Sequence, residues 1–91
     1  MRITAELSLY PLQDEFIAPI RKFIRALGAG GRLEVRSNQL STQLRGELDD
    51  VMAAVHAALE ASFASGGSQV LIAKFLNADL PLDEPPDLGP R

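Results

Sequence analysis

Apolar and polar positions alternate at the start of the chain. Ile3, Ala5, Leu7 and Leu9 fall on one face, and Thr4, Glu6, Ser8 and Tyr10 on the other. That period predicts a half-buried strand, stopped by Pro11. The period then changes. Phe16, Ile20, Phe23, Ile24 and Leu27 form one stripe of a helix, with Arg21, Lys22 and Arg25 on its wet side. Asp14 is placed to act as an N-cap or first-turn acid. Pro19 conflicts with a start that early, so either the first turn is irregular or the helix proper begins near Ala18. Gly28, Gly30 and Gly31 end it.

Alternation returns over 32–37, with Leu33 and Val35 inward. After a turn at 37–39, Leu40, Thr42, Leu44 and Gly46 share one face of a further strand, opposite Gln43 and Arg45. The two runs predict a hairpin. Residues 47–67 read as the clearest helix, with Leu48, Val51, Met52, Val55, Leu59, Ser62 and Phe63 as its apolar stripe. Gly66 and Gly67 close it. Residues 69–77 are nearly all apolar, as expected of a strand with both neighbours and both faces occupied. Four prolines in the last eleven residues predict an extended or mobile tail. The order β-α-β-β-α-β specifies an α+β, ferredoxin-like sandwich: a four-stranded antiparallel sheet with both helices on one face. Residues 1–80 would form the domain and 81–91 the tail. The sheet's other face is left for a ligand or a partner.

Composition narrows the setting. A chain of 91 residues makes one domain with a modest core, which self-association would help. Twelve acids stand against nine lysines and arginines, for a net charge of −3. That balance argues against nucleic acid as a partner. The absence of cysteine excludes disulfides, thiolate metal sites and cysteine nucleophiles and suits the cytoplasm. Glu6 interrupts the apolar N-terminus, so no signal peptide is expected. No run approaches the roughly 20 apolar residues of a membrane span, so no membrane insertion is expected.

Candidate chemistry is sparse. Glu47, Asp49 and Asp50 read as dipole complement at a helix start rather than as a metal site or acid/base pair. His56, the only histidine, has no serine or acid spaced to orient it. The glycines of "LGAGG" follow a helix and precede a strand, the reverse of a dinucleotide loop. Arg45 is expected to pair across the sheet with an acid such as Glu6, ahead of binding an anion. Gly46 reads as a close backbone approach or a bend. Tyr10, Ser8 and Asp14 gather at one strand-to-helix joint, and Asn38 and Thr42 flank the hairpin turn. These five are the candidate rim of a small-molecule site.

The segments "SLYP" with a following D-x-F, and "STQLRG" leading into "DDV" and a long helix, resemble the YkoF-type thiamine/hydroxymethylpyrimidine-binding family. The likeness covers Ile3 to about Asn77. It implies a non-enzymatic binder of thiamine or its hydroxymethylpyrimidine part, with no cofactor, acting in vitamin salvage or transport. YkoF-type proteins carry two such domains in one chain, so a single-domain relative would assemble as a homodimer or homotetramer. An aromatic face such as Tyr10 attracts the thiazolium charge. Asp14 or Glu6 would offset it, and Ser8, Thr42 and Asn38 would meet the aminopyrimidine edge. The rival reading is a structural module of the same fold without a ligand. An enzyme using His56 or Arg45 is a third.

Overall fold

The computed structural model describes residues 1–90. It has the elements β1 (Arg2–Pro11), α1 (Ile17–Gly28), β2 (Glu34–Ser37), β3 (Thr42–Glu47), α2 (Leu48–Ala64) and β4 (Gln69–Leu76). The sheet order is β2-β3-β1-β4, antiparallel throughout. Both helices pack on one face, which is the ferredoxin-like arrangement.

The core follows from strand alternation. Ile3, Ala5, Leu7 and Leu9 point at the helices, where Leu44 from β3 joins them. From α1 come Phe23 and Leu27, one turn apart. From α2 come Val51, Val55 and Ala58. The stripe expected on α2 is therefore only partly right. Met52 and Phe63 are about half exposed and Leu48 is also exposed. Ala58 lies on the buried line instead, because a small side chain suits the α1–α2 contact.

The start of α1 also differs from expectation. The side chain that caps it is Glu15, whose Oε1 accepts from the main-chain N–H groups of Ile17 and Ala18 at 3.2 and 3.3 Å. Asp14 precedes that cap. Pro19 is the third helical residue, where an N–H would have no intrahelical partner, so it costs little.

The fourth strand is the largest correction. It pairs with β1 alone and forms an edge of the sheet. Val70, Ile72, Phe75 and Leu76 are each 44–53% exposed. Its apolar run does not reflect a central position. Leu40, assigned to the inner face of β3, instead sits in the hairpin turn at 86% exposure.

Candidate functional site

The site arises from a mismatch of lengths. The last rung between β1 and β3 is Leu7 with Thr42. Along β4, β1 stays paired out to Pro11 opposite Gln69. The hairpin thus stops short, and residues 8–11 of β1 run on with no strand on that side. The β2–β3 turn and α1 flank the opening. Between them lies a hollow of about 400 Å³, within the roughly 300–1,000 Å³ usual for small-ligand sites. Leu7, Leu9, Phe16, Ile20, Phe23 and Ile24 give it apolar walls, and its lining contains no charged residue.

Hydrogen bonds fix the turn that forms one wall. Asn38 Oδ1 accepts from the main-chain N–H of Leu40 at 2.8 Å and of Ser41 at 3.0 Å. Its main-chain N–H donates to Ser41 O at 3.0 Å. This is the asparagine-centred turn expected from residue type. The turn is tied to β1 from the outer face of the sheet. Ser8 Oγ donates to Leu40 O at 3.3 Å, and Ser41 Oγ donates to Glu6 Oε2 at 2.9 Å. Gln43 Nε2 in turn donates to Ser41 Oγ, and Lys74 Nζ lies 3.4 Å from Glu6. The Ser41 hydroxyl, then Lys74, hold the Glu6 carboxyl below its ordinary range.

Of the five residues proposed from sequence, Ser8, Tyr10, Asn38 and Thr42 line this one hollow, and Asp14 does not. Asp14 lies three residues before α1, whose first N–H groups are met by Glu15 instead. Thr42 is buried, and its hydroxyl shares a 2.8 Å hydrogen bond with Ser37. Tyr10 stands half exposed at the mouth. Sequence reasoning missed the walls. The spacing places Phe16, Ile20 and Ile24 on one continuous helical stripe, yet this end of the stripe lines a hollow.

The other sequence candidates disperse. Arg45 does pair with acids, but not with Glu6. Its Nε donates to Asp79 at 2.7 Å, and its Nη1 lies 3.4 Å from Glu34. Glu47 meets the N-terminal ammonium and Arg2, while Asp50 meets Arg32. Among the described residues no group of three or more His, Asp or Glu is placed to hold a metal ion. His56 is exposed on α2.

The fold and the hollow define a class: a ferredoxin-like domain with an uncharged, mostly apolar pocket at the end of a short hairpin. Within that class, the profile of the thiamine-binding protein family matches residues 5–75. The chain belongs to that family, and the matched span contains the "SLYP" and "STQLRG" segments. Solved structures share the fold. A candidate thiamine biosynthesis/salvage protein from Thermotoga maritima superposes with a TM-score of 0.80 at 14% identity, over 91% of this chain and 92% of that one. A protein from Streptococcus pneumoniae gives 0.78 at 23% identity, over 88% and 90%. A domain of unknown function from Bacillus cereus gives 0.73 at 20%, over 91% and 85%. No functionally curated protein matches by sequence. No helix among the described residues is long and apolar enough to cross a membrane.

Proposed function

We propose that this domain binds thiamine, or its hydroxymethylpyrimidine part, in the hollow beside β1 and carries out no chemistry on it. The observation that carries the reading is the uncharged pocket of about 400 Å³ in a chain of the thiamine-binding family. A flat neutral heterocycle suits the apolar walls. The thiazolium charge suits the mouth, where the ring of Tyr10 contributes roughly 0.5–2 kcal/mol of cation–π attraction. Ser8 and Asn38 supply polar groups at the wall, and Asp14 falls outside this assignment. The role is vitamin salvage or transport in the cytoplasm. We propose also that the chain works as a homodimer or homotetramer, joined through β4 and the outer face of the sheet.

A thermal-shift titration with thiamine, hydroxymethylpyrimidine and thiamine phosphates tests the binding. At a hundred times Kd the ligand adds about 2.7 kcal/mol, a rise on the order of 10 °C for a domain this small. Tyr10→Ala is expected to lower that increment for thiamine by about 0.5–2 kcal/mol while the ligand-free domain still folds. A melting temperature unmoved by any of these compounds removes the binding proposal and leaves the structural module.

A further inference from the structure

The ladder registers place one main-chain amide at the hollow with nothing opposite it. In an antiparallel ladder, alternate residues turn their N–H and C=O toward opposite neighbours. Leu12 N donates to Ser68 O, so the even-numbered residues of β1 serve β4. Leu48 N donates to Met1 O, so the odd-numbered residues serve β3. Ile3, Ala5 and Leu7 meet Gly46, Leu44 and Thr42 in this way. Leu9 has the same parity, but β3 has ended. Its N–H and C=O have no hydrogen-bond partner among the described residues, although the residue is buried. Pro11, next on this edge, has no N–H to offer. The Leu9 N–H is therefore the last donor on that side of β1.

The hairpin does not complete the rung. By register, Leu40 would face Leu9. Both main-chain groups of Leu40 are already engaged, its N–H by Asn38 Oδ1 and its C=O by the Ser8 hydroxyl. Ser8 and Asn38 thus act as positioning residues that hold the turn back and keep the rung vacant. Leu9 lines the hollow, and an amide with no partner from the chain is left to water or to a ligand, so the open rung suits a molecule that supplies what a strand would.

We infer that the main-chain N–H and C=O of Leu9 read the polar edge of the bound heterocycle. The matching edge is a ring nitrogen next to an exocyclic amine, as in a 4-aminopyrimidine. The ring nitrogen accepts from the Leu9 N–H, and the amine donates to the Leu9 carbonyl. The ring takes the place of the missing strand, with Ile20, Phe23 and Ile24 of α1 beneath it. This inference rests on the binding proposal and specifies which end of the vitamin enters the pocket.

The test combines amide hydrogen exchange by NMR on the full chain with two probes. One is 4-amino-5-hydroxymethyl-2-methylpyrimidine. The other is its 4-oxo counterpart, whose ring N–H and carbonyl reverse the donor and acceptor. In the free protein, Leu9 is expected to exchange far faster than Leu7. The amino compound is expected to slow Leu9 exchange about tenfold or more while Leu7 is unchanged, and to bind about tenfold or more tightly than the oxo compound. A Leu9 amide as protected as Leu7 without ligand overturns the inference. So does binding of both compounds within about twofold with Leu9 exchange unchanged, an outcome that leaves the pocket assignment standing. Failure of both probes and of thiamine to raise the melting temperature removes the pocket assignment and the inference together.

Discussion

A single missing carbon sets the fit of β3 under the β2 approach. A Cβ added to Gly46 would lie 2.6 Å from Leu33 Cδ2, inside van der Waals contact. Gly46 also sits in the last inward position of β3, opposite Ile3, where the chain turns into α2. Glycine leaves room there for the end of the Leu33 side chain, which a Cβ would push aside, and backbone conformation makes no demand. Gly46→Ala is expected to cost about 1 kcal/mol of stability, the low end of overpacking, because the clash is with a movable side-chain end, read from urea unfolding. Leu33→Ala in the same chain should recover part of that loss, a non-additivity of about 0.5 kcal/mol or more. Additive losses would place the strain elsewhere. Side chains with such steric or turn chemistry were legible in the sequence. Gly46 reads as a close backbone approach or a bend, and Asn38 as a turn residue. Ser8 and Tyr10 were found by strand parity and the polar character of the joint. Leu9 was not found, because a main-chain group has no signature in residue type. Only the register reveals that its partner is absent.

Among the elements, β4 separates what periodicity encodes from what it does not. A run such as "QVLIAKFLN" reports that both faces of a strand meet something apolar. It is silent on whether that neighbour belongs to the same chain. In the split β-α-β-β-α-β order, β4 pairs only with β1, and its outer residues Val70, Ile72 and Leu76 remain substantially exposed. A long apolar edge strand is a template for association, which proteins blunt with charge or proline unless the edge is used. Here Lys74 is the only charge in the strand, and it is paired with Glu6. Ile72→Lys, on the outer face opposite Ser8, is expected to shift the protein toward monomer in sedimentation velocity. The change to the monomer itself should stay within about 0.5 kcal/mol, as for other surface substitutions. A wild-type chain that sediments as a monomer at all concentrations would remove β4 as an interface. The stripe on α2 is only partly right for a related reason. Hydrophobicity alone ranks Met52 and Phe63 above Ala58, whereas helix contact at close range selects the small residue.

Across the whole molecule, the segment just after β4 is tied to the two central strands. Thr4 Oγ1 donates to Ala78 O at 2.8 Å and accepts from Leu80 N at 2.9 Å, so a buried hydroxyl on the outer face is satisfied by main chain. Asp79 between them accepts from Arg45 of β3 and Arg2 of β1. Ala78 to Leu80 thus form a strap across the sheet, inside the span expected for the domain. Arg91, the last residue of the expected tail, lies outside the described residues. The hydrogen bond from Arg45, and then that from Arg2, hold the Asp79 carboxyl below its ordinary value, while Asp79 raises that of Arg45. The sign of the linkage follows. A carboxyl lowered by folding contributes stability that is fully present above its unfolded value, about pH 4, and lost as pH falls through its folded value. Asp79→Asn keeps the shape of the side chain and removes that titration. The mutant is expected to melt below the wild type at neutral pH, with the gap narrowing as the pH is taken below about 4. The Glu6 carboxyl is lowered in both proteins and cancels in the difference. Exposed ion pairs are screened, so added salt should also narrow the gap at neutral pH. Melting curves that stay parallel across the acid range would mean that the strap is held by the Thr4 main-chain clasp alone, with no contribution from the arginines.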